Sequence, residues 1–141
     1  MNIVIKIADS PLEIAQCFPV LVQLRSDLVQ VQFVERIDEL RQGGYCLAHL
    51  KQEEVVCAVA GFRIGDMLFR GRHLYVDDLV TDARVRSRRY GAMLLDWLVE
   101  HARAQGCRQV DLDSGVQRRD AHRFYLRAKM QITDYHFSRP I

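Results

Sequence analysis

Isoleucines at positions 3, 5 and 7 alternate along residues 2–7, the period-two pattern of a strand with one buried face. Ser10-Pro11-Leu12-Glu13 then opens a helix. Ser10 caps it, Pro11 suits the first helical position, and Glu13 closes a capping box. The helical pattern runs to about Phe18, where Pro19 interrupts it before a second helical stretch. Phe33, Val34, Ile37 and Leu40 recur at helical spacing through residues 31–41, and Gly43-Gly44 ends that helix. Residues 45–50 and 55–64 read as strands joined through Lys51-Gln52-Glu53-Glu54 in a hairpin. Gly65-Asp66 and Gly71 bracket a polar connection to a strand over residues 74–81. A strongly apolar helix over 93–104 ends near Gly106. A strand over 108–113, a short helix over 119–129 and a last strand over 132–137 complete the series. Early strands form a meander and later ones alternate with helices, so the expectation is a mixed sheet with helices packed on it.

Composition narrows the function classes. With 141 residues, 49% hydrophobic and 27% charged, the chain is one domain with a sizeable core, residues 1–141. A net charge of +2 gives no overall field for nucleic acid or a membrane surface. The positive charge is local, at Arg84, Arg86, Arg88 and Arg89 and again at Arg118, Arg119, Arg123 and Arg127. Cys17, Cys46, Cys57 and Cys107 lack CxxC spacing and sit in or beside apolar stretches, as small buried hydrophobes of a reducing compartment do. His49, His101 and His136 have no partner at metal-ligand spacing, so no metal site is expected. Residues 1–8 lack the apolar core of a signal peptide and no run is long enough to cross a bilayer, which makes the cytoplasm the expected compartment.

The segment Leu74–Ala92, LYVDDLVTDARVRSRRYGA, carries the most information about chemistry. A strand feeds a basic, glycine-containing turn into a helix. The first N–H groups of a helix lack partners within it, and the helix dipole favours an anion there. Such a turn is a cradle for a pyrophosphate. The competing reading is a solvated basic turn.

Arg86-Ser87-Arg88-Arg89-Tyr90-Gly91 resembles the Q/R-x-x-G-x-G/A signature of the GNAT superfamily of acyl-CoA N-acyltransferases, with Arg89 where the family has its middle glycine. Val110–Gly115 resembles the family's fifth strand and its exit, and Ala121-His122-Arg123-Phe124-Tyr125 the A-x-x-x-Y opening of its fourth helix. Arg118 stands where many members have asparagine, and Lys129-Met130 where they have Gly-Phe. The resemblance implies an α/β (α+β) fold with a mixed, mostly antiparallel sheet of six to seven strands and about four helices. It implies acetyl-CoA as acyl donor and transfer to a primary amine, of a small molecule or peptide, by direct attack in a ternary complex.

The resemblance also assigns residues. Backbone groups of Leu79, Val80 and Thr81 pair with the pantetheine arm beside a bulge, and the N–H of Val80 faces the acyl oxyanion. Arg86, Ser87, Arg88, Arg89, Tyr90, Gly91 and Ala92 form the pyrophosphate turn, and Phe124 borders the cofactor. Tyr125 protonates the departing thiolate. An amine with a pKa near 10 must lose a proton before it attacks, and Asp77 or Asp78 in a partly desolvated cleft suits that task. Adjacent strand residues face opposite sides, so one acid is expected in the cleft and the other away from it. Either acid instead pairs with Arg70 or Arg72 if its role is structural. A homodimer is allowed by the resemblance only.

Two rival functions remain at this stage. A non-catalytic acyl-CoA-binding regulatory module fits the Arg89 and Arg118 departures. A nucleic-acid-binding protein would use residues 84–89, but lacks a reading motif.

Overall fold

In a computed structural model, residues 2–86 and 88–141 are described, and they divide into two compact units, 1–111 and 112–141. The first holds a strand β1 (Ile3–Ile7), helices α1 (Pro11–Gln16), α2 (Phe18–Leu24) and α3 (Phe33–Gln42), strands β2 (Cys46–Gln52), β3 (Val55–Met67) and β4 (Gly71–Thr81), and helix α4 (Tyr90–Ala104). Strand β5 (Gln109–Leu112) follows, and the second unit carries α5 (Arg119–Arg127). The mixed sheet has five strands in the order β1-β2-β3-β4-β5, with the first three pairings antiparallel.

The local signals act as their chemistry requires. Ser10 accepts from the N–H of Glu13 at 3.1 Å, and the Glu13 carboxylate accepts back from the N–H of Ser10 at 3.3 Å. Glu53 and Glu54 both take positive φ, 50° and 68°, which a two-residue hairpin turn needs to match the twist of its strands. The six to seven strands and about four helices that the resemblance implies are, among the described residues, five and five. The second helical stretch expected at Pro19 is a separate helix with Pro19 in its first turn, and residues 132–137 form no strand. The expected polar connection at Gly65–Gly71 shrinks to residues 68–70, because β3 and β4 continue their ladder out to the pair Met67 and Gly71.

Strand alternation divides the core. Leu47, Val59 and Val80 face α1–α3, where they join Ile14, Val20, Leu21, Phe33 and Ile37 in one buried cluster. Phe62 lies on the other face, its ring edge-on to Trp97 and His101 of α4. The thiols of all four cysteines are free, and burial pushes the Cys17 thiol up to about 12.

His49 is fully buried in β2, and neither ring nitrogen has a hydrogen-bond partner among the described residues. Burial lowers its pKa, so the folded chain holds it neutral. The unfolded chain protonates it near the ordinary value of 6.5. Below that pH the unfolded state binds more protons, so stability is complete above it and falls as pH drops through it. Thermal melts between pH 8 and 5 are expected to show this decline, and His49→Leu is expected to flatten it.

Candidate active site

Strand β4 carries one residue more than β3 can pair. Gly61 stands opposite Asp78 and Phe62 opposite Val76, so Asp77 bulges out of the ladder. A bulge breaks the alternation of side chains. Asp77 and Asp78 therefore both line one cleft, contrary to the expectation that they face opposite sides. The cleft measures about 720 Å³ and is walled by α2, the segment after it, α3 and the sheet face of Tyr45, Arg63 and Tyr75.

The two acids are held differently. Asp78 is engaged at both oxygens: Arg25 Nε donates to Oδ1 at 2.7 Å and Tyr45 Oη donates to Oδ2 at 2.8 Å. Arg25 also donates from Nη2 to the backbone carbonyl of Asp77 at 2.8 Å. Asp77 accepts from Arg63 Nε at Oδ2, 2.9 Å away, while its Oδ1 is buried without a partner among the described residues. Arg63 lies over the Tyr45 ring, 5.4 Å from its centre. Burial, reinforced by the charge of Asp78, raises the Tyr45 pKa and keeps the phenol a donor. Arg70 and Arg72, the partners expected for a structural acid, turn elsewhere: Arg70 to Asp111, and Arg72 to the carbonyl of Gln105.

Gly61 makes this arrangement sterically feasible. A Cβ there would lie 1.8 Å from Tyr45 Oη and 2.5 Å from Asp78 Oδ2. Arg25, Tyr45, Gly61 and Arg63 escaped the sequence reading. Arg25 follows α2, Tyr45 precedes β2, and Gly61 and Arg63 belong to β3, so no local spacing links them to the acids.

The turn into α4 presents the start of a helix beside exposed arginines. Arg89, the residue in the glycine position, occupies the N-cap with φ 65° and ψ 17°. It thus adopts the left-handed conformation that glycine takes freely, at a cost of about 1–2 kcal/mol. Its side chain makes no cap hydrogen bond and the first turn holds no acid, so among the described residues the leading N–H groups of α4 have no local anion to satisfy them. Tyr90 is buried and anchors the helix, Gly91 and Ala92 are half-buried, and Arg86 and Arg88 are exposed. Ser87 lies outside the described residues. Arg84 is committed to Asp82, donating from Nη2 at 2.7 Å. That pairing holds the buried Asp82 carboxyl down at about 2 and clasps the start of the turn, with Gln23 donating to the same carboxylate.

Leu79, Val80 and Thr81 pair with Ala60, Val59 and Ala58 on the β3 side. On the other side β5 starts where the Arg108 N–H donates to the carbonyl of Arg72. With four residues against eleven, it cannot cover the whole of β4. In the second unit, Phe124 and Tyr125 are half-buried with their rings edge-on at 5.3 Å, and burial raises the Tyr125 pKa. His122 Nε2 lies 2.7 Å from the carbonyl of Gly115.

The profile of the acetyltransferase (GNAT) family matches residues 12–130. The chain belongs to this family. It is 36% identical over 131 residues to an uncharacterized N-acetyltransferase, YhdJ, of Bacillus subtilis (strain 168), covering 92% of each. It is 35% identical over 66 residues to the aminoalkylphosphonate N-acetyltransferase of Salmonella typhimurium, 47% of this chain and 43% of that one. The fold matches the crystal structure of glucosamine-6-phosphate N-acetyltransferase from Arabidopsis thaliana, with a TM-score of 0.79 at 22% identity over 99% of both chains. It also matches an aminoglycoside N-acetyltransferase in complex with CoA, with a TM-score of 0.86 at 12% identity over 99% of this chain and 95% of that one. This GNAT chain is thus an N-acetyltransferase whose acceptor is unidentified.

Two substitutions probe the geometry. Gly61→Ala is expected to cost about 1–3 kcal/mol by overpacking and to displace Tyr45 from Asp78. Adding Tyr45→Phe removes the nearest clashing atom, so the double variant is expected to be less destabilised than the two single losses sum to, measured by denaturant unfolding. Arg89→Gly removes the left-handed strain at the price of backbone freedom, and is expected to shift stability by less than about 1 kcal/mol while leaving acetyl-CoA affinity undiminished, by calorimetry.

Proposed function

We propose that this chain transfers the acetyl group of acetyl-CoA to a primary amine within a ternary complex, with Asp77 as proton acceptor and Asp78 as its positioning neighbour. One observation carries the assignment between the acids. Both oxygens of Asp78 already accept hydrogen bonds, whereas Oδ1 of Asp77 accepts none among the described residues. A carboxylate with spare acceptor capacity is the better base, acting directly or through one water.

The diphosphate of the donor sits against the N–H groups of Tyr90, Gly91 and Ala92, with Arg86, Arg88 and Arg89 around it. The pantetheine arm runs along Leu79, Val80 and Thr81 as an added strand. The amine nitrogen attacks the thioester carbonyl carbon as its proton passes to Asp77. The Val80 N–H stabilises the oxyanion. Collapse forms the amide and breaks the carbon–sulfur bond, and the thiolate takes a proton from Tyr125, whose raised pKa keeps it protonated at neutral pH. Phe124 borders the cofactor, and no metal takes part.

The acceptor side suits an amine that also bears an anion. Arg25, Arg36 and Arg63 line the cleft together with Asp27, Asp77 and Asp78. Such a mixed wall receives an ammonium and an anionic group at once. The aminoalkylphosphonate and glucosamine 6-phosphate in the names of the relatives are amines of that class. Free thiols on all four cysteines agree with a cytoplasmic enzyme.

A thiol-release assay over a panel of amines tests this reading. Turnover is expected with amines carrying a phosphonate or phosphate. Asp77→Asn is expected to lower kcat about 10²–10⁴-fold with acetyl-CoA affinity retained, and Tyr125→Phe to lower kcat by a smaller factor. Saturable acetyl-CoA binding with no turnover of any amine would favour the alternative, a non-catalytic acyl-CoA-binding module.

A further inference from the structure

The end of α2 holds β4 at two places. Arg25 grips the bulge, through the Asp78 carboxylate and the carbonyl of Asp77. Two residues earlier, Gln23 grips the far end of the strand, where the basic turn begins. The Ala83 N–H donates to Gln23 Oε1 at 2.9 Å, and Gln23 Nε2 donates to Asp82 Oδ1 at 3.3 Å. The same Nε2 donates to the carbonyl of Pro19 at 3.1 Å, one helical turn back. Oε1 thus faces an N–H, while Nε2 faces a carbonyl and a carboxylate, groups that accept. Only one orientation of the amide fits. Leu21, Leu24 and Arg25 line the cleft, whereas the Gln23 amide meets the start of the turn.

Residues 83–85 form a single 3₁₀ turn with Asp82 as its N-cap, and Asp82 Oδ1 accepts from the Arg84 N–H at 3.0 Å. The N–H of Ala83, at the start of the turn, has no partner within it, and Gln23 supplies one. Asp82 is buried, and its own N–H donates to the carbonyl of Cys57 at 2.8 Å. Glutamine suits this position because one side chain both accepts from an N–H and donates to a carboxylate. A glutamate would meet Asp82 with like charge, and an apolar side chain would satisfy neither group.

We infer that Gln23 is a positioning residue for donor binding: from α2 it fixes the backbone at Asp82 and Ala83, and through them the turn that receives the diphosphate of acetyl-CoA. This rests on the donor placement proposed above, in which the diphosphate meets the residues that follow the 3₁₀ turn. Gln23 touches no part of the donor in that reading and acts through residues 82 and 83. Arg25 and Gln23 bracket Leu79, Val80 and Thr81, the residues proposed to pair with the pantetheine arm. The stretch between the acids and the diphosphate is therefore held at both ends by two side chains from one helix end. A turn fixed before the ligand arrives spares the cost of ordering it on binding.

Titration calorimetry with acetyl-CoA on the intact chain tests the inference, using Gln23→Met and Gln23→Glu. Both substitutions keep the length of an exposed side chain, and circular dichroism checks the fold of each variant at each pH. At pH 7.5 Gln23→Met is expected to bind acetyl-CoA about 5- to 20-fold more weakly than the unaltered chain, and Gln23→Glu at least as weakly. The glutamate variant adds a pH signature that a loss of packing would not produce. Ionised, its carboxylate only accepts and faces Asp82 with like charge, which raises its pKa above the ordinary value of about 4.3. Protonated, its O–H donates to Asp82 and its carbonyl accepts from Ala83, so both bonds return. Measured against the unaltered chain at the same pH, the affinity of Gln23→Glu is expected to recover as pH falls from 7.5 to 5, and that of Gln23→Met is not. Unchanged affinity in Gln23→Met overturns the inference and leaves the donor placement standing. So does a deficit in Gln23→Glu that is the same at both pH values. An unaltered chain that binds no acetyl-CoA removes the donor placement, and this inference with it.

Discussion

One surplus residue in a β-ladder governs the cleft. Because β4 gains Asp77 between the partners of Gly61 and Phe62, two consecutive acids share one wall. Without the bulge, one of them would lie under α4 among Phe62, Leu94 and Leu98, where a carboxylate pays a large desolvation cost. The bulge instead turns both toward arginines. Gly61 is the matching constraint across the ladder, since only its missing Cβ lets Tyr45 reach Asp78.

From that point the division of labour follows from hydrogen-bond supply. Three donors compete for four carboxylate oxygens: Tyr45 Oη and Arg25 Nε take Asp78, and Arg63 Nε takes one oxygen of Asp77. The remaining oxygen, Oδ1 of Asp77, is left with no donor among the described residues, which is what the proposed role of Asp77 rests on. The arginines do more than neutralise. Arg25 ties the segment after α2 to β4 through both a side chain and a backbone carbonyl, so that wall of the cleft is pinned to the bulge itself.

The turn before α4 meets a different demand with a costly residue. Left-handed geometry at the N-cap is what exposes the leading N–H groups, and a glycine would supply it more cheaply than Arg89. In exchange, the turn gains a cation beside the proposed diphosphate position. Asp82 holds the start of that turn by binding Arg84, which sets this arginine apart from the rest of the basic run.

The sequence by itself determined the elements whose cause is local. The capping box of α1, the apolar faces of α3 and α4, the hairpin at Glu53-Glu54 and the basic turn before a helix are all set by neighbours within a few residues. Two acids interrupting an apolar strand, and the resemblance to the family at Tyr125, offered those three residues as candidates. Tertiary structure alone decided where the acids point and which cations they meet. Arg25 and Tyr45 reach Asp78 across separations of 53 and 33 residues, and no periodicity records such a meeting. The bulge was equally hidden, because an extra residue shows only when a second strand supplies the register against which it is extra. The segment 132–137 marks the same limit from the other side: its pattern is a strand's, but a strand exists only where another backbone offers its hydrogen bonds.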